Sequence, residues 1–285
     1  MIRTVSINDV FVEPIDIPKQ EKQTLGEEIF PLLNANILIV APKNSGKTVV
    51  IRNILNECAD RDTHVIIFCA TVNNDQNWLF IKDELKRRKI KYSAYTSIFT
   101  DQGINILEVL IRALQEEAGE QNEQYDPNEE KMKREPLLKR NLINFGDQLS
   151  ESKLIVKPKK NKKYVSPDYI IIFDDLSTEL KNPCIPKLMK IQRHFSTKII
   201  ISTQSYIDCD ARIRKGNLDY VLLFKGISGN VLEQIYEEQA LQIPEDAFFK
   251  IYYHATSKKY HFLFIDRNGF FRKDFNKKYE IQSLE

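Results

Sequence analysis

The chain alternates between short apolar runs rich in β-branched residues and longer amphipathic stretches. The runs read ILIVA from Ile37, HVIIFCA from His64, YIIIFDD from Tyr169, KIIISTQ from Lys198 and DYVLLF from Asp219. Apolar positions recur at helical spacing over Lys47–Ala59 and Gln76–Arg88. A run that is apolar at every position lacks the in-and-out alternation of a half-solvated strand, so it predicts a strand covered on both faces. Such strands joined by helices predict a three-layer α/β domain with a mainly parallel central sheet. The tail YHFLFIDRNGFFRKDF, from Tyr260, alternates around Asn268-Gly269 and predicts a β-hairpin on the edge of that sheet.

Two regions break the rhythm. Residues 1–35 read as a lead-in punctuated by Pro14, Pro18 and Pro31, with a strand around DVFVEP and a short helix around GEEIF. The main domain then runs over 36–285, interrupted at about 116–166 by a polar, highly charged insertion. That insertion is expected to be partly disordered, with one helix around REPLLKRNLINFGDQL.

Composition adds little beyond solubility. The formal net charge is +2, which by itself names no partner. Cys58, Cys69, Cys184 and Cys209 are widely spaced and form no C-x-x-C pair, so zinc and redox chemistry have little support and a reducing compartment fits. No apolar run approaches the length needed to span a bilayer, and the N-terminus lacks a signal peptide's apolar segment, so membrane insertion is not expected. His64 and His194 have no partner ligand at helical spacing, and Trp78 reads as packing its helix onto the sheet.

The stretch NILIVAPKNSGKTVVIRNIL, Asn36–Leu55, carries the first chemical signal. A β-branched strand leads into a loop, and the loop ends in Gly46-Lys47-Thr48 as a helix opens. This is the context that a triphosphate-binding loop requires. The loop Pro42, Lys43, Asn44, Ser45 and Gly46 would wrap the phosphates, with backbone N–H groups from Lys43 onward facing them, Lys47 would lie along the β and γ oxygens, and the Thr48 hydroxyl would join a Mg²⁺ shell. Ala41 stands where the usual pattern has glycine. One added methyl is tolerable there if the backbone needs no positive φ.

The second signal is the end of YIIIFDD. Two adjacent carboxylates after a buried strand repel each other unless a cation is present. Asp174 is therefore expected as an outer-shell Mg²⁺ ligand, and Asp175 as the group that orients or deprotonates the water attacking the γ-phosphate. The stretch PCIPKLMKIQRHF is long enough for a parallel crossover, so KIIISTQ can neighbour the acidic strand and place Gln204 within reach of that water or phosphate.

Together these motifs resemble the genome-packaging ATPases of large DNA viruses and virophages, the poxvirus-type branch of the FtsK–HerA superfamily. The resemblance runs in order through the phosphate loop, VIIFCATVNNDQNW, IIIFDDL, QRHFSTKIIISTQ, RKGNLDYVLLF and FLFIDRNGFFRKDF, and so spans about Asn36 to Phe275 apart from the insertion. It implies a RecA-like P-loop NTPase fold and an ATP- and Mg²⁺-dependent motor. Such a motor would work as a homo-oligomeric pentamer or hexamer that drives double-stranded DNA into a preformed capsid, with capsid or vertex proteins as partners. It would act in the host cytoplasm, at the viral factory, or with the virion. Arg193 in QRHF matches the family's arginine that reaches the neighbouring subunit's γ-phosphate, with Arg212 and Arg214 as runners-up. Asp175 stands where the wider superfamily often has glutamate.

A translocating motor grips phosphates without reading bases. The candidates for that grip are Lys157–Lys163 and Arg212–Lys215, neither interleaved with the aromatic residues of a single-strand binder. Two alternatives stay open. One is a helicase-like or DNA-pumping ATPase of a mobile element, and the other is a nucleotide-binding assembly module with little turnover, supported only by Ala41 and Asp175.

Overall fold

The computed structural model describes residues 23–123, 164–176 and 178–280. The expected strand around DVFVEP, the expected helix around REPLLKRNLINFGDQL and the run Lys157–Lys163 lie outside the described residues.

In chain order the strands are β1 (Gln23–Thr24), β2 (Ala35–Val40), β3 (His64–Cys69), β4 (Lys91–Tyr95), β5 (Tyr164–Val165) and β6 (Tyr169–Asp174). They continue with β7 (Thr197–Thr203), β8 (Tyr220–Phe224), β9 (Phe262–Asp266), β10 (Phe271–Lys273) and β11 (Lys277–Lys278). The helices are α1 (Lys47–Cys58), α2 (Gln76–Arg88), α3 (Ile106–Glu123), α4 (Cys184–Ile191), the single turn α5 (Ala211–Arg214), α6 (Gly229–Glu238) and α7 (Glu245–Ala255). Among the described residues no helix is long and apolar enough to cross a membrane.

Among the described residues, nine strands form one sheet in the order β11-β10-β9-β8-β2-β7-β6-β3-β4. Every pair from β8 through β4 is parallel. The β8–β9, β9–β10 and β10–β11 pairs are antiparallel, so the expected terminal hairpin is present and gains a short third strand. A separate pair, β1 with β5, joins the segments flanking 25–163.

Every residue of β2, β3, β6, β7, β8 and β9 is buried, as continuous apolar runs require. Side chains alternate between the two faces. Leu38, Val40, Ile66, Phe68, Ile171, Phe173, Ile199 and Ile201 pack with residues of α3, α4, α6 and α7. Ile37, Ile39, Val65, Ile67, Ile170, Ile172 and Ile200 pack with α1 and α2. These two cores are the outer layers' anchors, and they pin the strand ends that carry polar residues.

Three local expectations change. The stretch GEEIF forms a tight turn, with the Ile29 and Phe30 amides donating to the Gly26 carbonyl, and Phe30 drops into the core against Tyr220 and Phe264. Gly26 takes φ +77°, and a Cβ there would lie 2.6 Å from Cys58 Sγ, so the turn needs glycine on both counts. The helix α3 continues to Glu123, through the expected start of the insertion at about 116. The half-buried edge strand β4, KYSAY, has no apolar run to announce it.

Candidate functional site

The parallel register brings the chemistry to one edge of the sheet. Val40 pairs with Thr203, Asp174 with Ser202, and Cys69 with Asp174, so β2, β7, β6 and β3 end at one level. Strand β7 lies between the loop-bearing strand β2 and the acidic strand β6.

Beyond β2 the chain adds one more ladder bond, from the Ala41 amide to the Thr203 carbonyl at 2.9 Å, and then turns. The loop's left-handed residues are Asn44 at φ +59° and Gly46 at φ +95°. Ala41 is not among the positive-φ residues, which is why a methyl group is accommodated there. Gly46 opens α1 and no side chain caps that end. By contrast α2 is capped by Asp75, whose carboxylate accepts from the Asn77 amide at 2.7 Å. An uncapped first turn leaves backbone N–H groups and the positive end of the helix dipole for an anion.

Lys47, the first residue of α1, reaches across to the acids. Its ammonium lies 3.3 Å from Asp174 Oδ1 and forms a second ion pair with Asp175. Gln204 Nε2 donates to Asp175 Oδ1 at 3.3 Å. Lys47, Asp174, Asp175 and Gln204 therefore form one connected cluster, and Thr48 follows directly on α1, half-buried. Asp175 sits at φ +53°, a left-handed conformation that aspartate tolerates better than most residues and that turns the chain away from β6.

Asp174 is 2 % exposed. Burial pushes its carboxyl above the usual carboxylate range; Lys47 opposes that and Asp175 reinforces it. Its other oxygen accepts from the indole Nε1 of Trp78 at 3.0 Å, and the Cys69 thiol stands 3.8 Å away. Burial raises that thiol to about 11, so it remains a neutral neighbour. Trp78 thus does more than pack α2 onto the sheet. Besides core packing by Trp78, the stretch VNNDQNW carries a second sequence reading, a place lining the nucleotide or subunit interface, and the bond to Asp174 agrees with it.

The residues fit a nucleoside triphosphate with a divalent cation. Two carboxylates share a single ammonium, leaving an excess of negative charge at a buried site. Ser45 Oγ, in the loop itself, is buried without a hydrogen-bond partner. A glycine-ended loop feeding an uncapped helix supplies the anion half of the same site.

The chain has a mixed α/β fold with a mostly parallel central sheet, and its glycine-ended loop lies between β2 and α1. No family model matches the sequence, and no curated protein matches it. Among solved structures, the genome packaging NTPase B204 from Sulfolobus turreted icosahedral virus 2 in complex with AMP aligns at 17% identity and a TM-score of 0.49, covering 88% of this chain and 100% of that one. The same NTPase in complex with AMPPCP aligns at 17% identity and 0.49, covering 85% and 97%. The cytoplasmic domain of the Thermomonospora curvata Type VII secretion ATPase EccC aligns at 13% identity and 0.44, covering 82% of this chain and 24% of that one.

The arginine candidates lie elsewhere. Arg193 is exposed in a turn before β7, where its carbonyl accepts from Asn34 Nδ2 at 3.4 Å. The length of β7, about 20 Å at 3.3 Å per residue, separates it from Gln204, so it does not join the cluster within one chain. Arg214 is buried, with Nη1 2.8 Å from Glu238 Oε2 and the guanidinium over the Tyr206 ring at 4.9 Å. Arg212 is exposed and pairs with Asp210 at 2.8 Å. Of the basic run Arg212–Lys215, the Arg214 guanidinium is committed to the fold.

Proposed function

We propose that this chain is a Mg²⁺-dependent ATPase that drives double-stranded DNA into a preformed viral capsid as one copy of a pentameric or hexameric ring. The observation that carries the ATPase reading is the Lys47 bridge to Asp174 and Asp175, with Gln204, just past the intervening strand β7, bonded to Asp175. The DNA-packaging reading is supported by the ordered motif resemblance from Asn36 to Phe275.

In this reading the loop from Pro42 to Gly46 and the first turn of α1 bind the phosphates through backbone N–H groups. Lys47 neutralises charge on the β and γ oxygens. Thr48 and Asp174 would hold Mg²⁺, which supplies electrostatic stabilisation of the transferring phosphoryl group. Asp175 accepts the proton of the attacking water or fixes its orientation, and the Gln204 carboxamide holds Asp175 while its other end is free to sense the water or the γ-phosphate. Arg193 acts from a neighbouring copy, because its own site is out of reach along β7.

The test is steady-state ATP hydrolysis with and without duplex DNA. Stimulation by DNA that vanishes in Lys47→Ala supports the motor. Slow turnover indifferent to DNA would favour the assembly module, and strand separation at a fork without translocation on intact duplex would favour the helicase.

A further inference from the structure

Strand order divides the phosphate loop's surroundings. On one side of β2 stand β7 and β6, which bring Gln204, Asp174 and Asp175; on the other stand β8 and β9. Two turns from that second side touch the loop. After β8, Gly226 sits at φ +104°, and a Cβ on it would come within 3.3 Å of Pro42 Cγ. Before β9, the turn 257–260 ends in Tyr260, whose Cδ1 would lie 3.2 Å from a Cβ on Gly46, the residue preceding Lys47. Lys225 Nζ donates to the Ser257 carbonyl at 3.4 Å and ties the two turns together.

Core packing does not explain Tyr260. The residue is 60% exposed, and its backbone stands at φ +71°, a left-handed conformation that a bulky side chain rarely adopts. Its strained backbone sets the ring beside the phosphate loop, with Lys259 Nζ 4.7 Å from the ring centroid. A triphosphate whose last phosphate meets Lys47, Asp175 and Gln204 extends away from β6 and β7, so its nucleoside end lies toward β8 and β9. There an aromatic ring open to solvent waits next to Gly46.

We infer that Tyr260 is the platform on which the nucleoside base of bound ATP stacks, an inference that rests on the ATPase reading above. Stacking uses the π-face that every base has, so this contact distinguishes a nucleotide from a bare polyphosphate more than one base from another.

The test is calorimetry on the full chain with Mg·ATP and with Mg·tripolyphosphate, for wild type, Tyr260→Ala and Tyr260→Phe. Tyr260→Ala is expected to weaken ATP about tenfold while leaving tripolyphosphate unchanged, and Tyr260→Phe to behave as wild type. In hydrolysis assays Tyr260→Ala should raise KM and keep kcat. The inference is overturned if Tyr260→Ala binds ATP as tightly as wild type, or if it weakens both ligands by the same factor, which would make Tyr260 a support for the loop. A wild-type chain that takes up neither ligand would instead sink the ATPase reading itself.

Discussion

Replacing Trp78 by phenylalanine isolates one contact at the heart of the site. The indole is 0% exposed and its Nε1 donates to Asp174 Oδ2 at 3.0 Å. Phenylalanine preserves most of the packing in the core that Trp78 shares with Ile81 and Leu85 but removes the donor, leaving that oxygen the Cys69 thiol at 3.8 Å. A hydrogen bond to a charged group contributes about 1.5–3 kcal/mol, and the smaller ring leaves a gap costing about 1 kcal/mol. Together these give a loss of about 3 kcal/mol, or about 5–10 °C in Tm for a domain of this size. The donor also favours the ionised carboxylate, so its removal lifts an Asp174 carboxyl that burial already holds above the usual range. The sign follows: the loss is largest where Asp174 is ionised in wild type and shrinks as falling pH protonates it. Urea unfolding of both proteins across a pH series measures this directly. A difference below about 0.5 kcal/mol, or one of the same size at every pH, would refute the claim that Trp78 holds the acid in its charged form.

Other substitutions probe other parts of the account. His64 is buried, and burial lowers its imidazole from 6.5 to about 4, with Lys91 acting the same way. Its contribution is present above 6.5 and lost as the pH falls to about 4, worth about 3 kcal/mol, so His64→Gln should flatten the acid limb of the Tm-versus-pH curve. Asp175→Asn should cut turnover about 10²–10⁴-fold while calorimetry still records ATP binding; retained turnover would remove Asp175 from the chemistry. Arg193→Ala should cost about 10³–10⁵ in rate without loss of ATP binding. Mixing it with Lys47→Ala chains should restore part of the hydrolysis, because a site with intact Lys47 then faces an intact arginine wherever the two chains adjoin in the right order, and mixtures that stay silent would exclude action between copies.

Much of this arrangement could be read before any coordinates. The apolar runs ending in Ala41, Asp175 and Gln204 announced buried parallel strands, because a strand covered on both faces has no polar alternation to hide it. The loop and helix of Lys47–Cys58 followed from glycine, lysine and threonine at the required offsets. What was not legible had no local signature. The β4 strand is a half-buried edge with polar residues. GEEIF carries helix-forming residues, yet the tight approach of Gly26 to Cys58 makes it a turn. The bond from Trp78 to Asp174 and the seat of Tyr260 beside Gly46 join residues far apart in sequence, and only the strand order brings them together. Arg193, expected from its motif position to act on a neighbouring copy, stands at the opposite end of β7 from Gln204 in its own chain.

The central claim is that the ends of β2, β6 and β7 form a single site for a triphosphate and its metal. Titration calorimetry of the full chain with ATP tests it most directly, run with Mg²⁺ and again with EDTA, alongside Lys47→Ala. The account predicts one nucleotide bound per chain, with uptake that weakens without the metal and disappears without the Lys47 ammonium. Heat that is absent in wild type, or undiminished in Lys47→Ala, would contradict it.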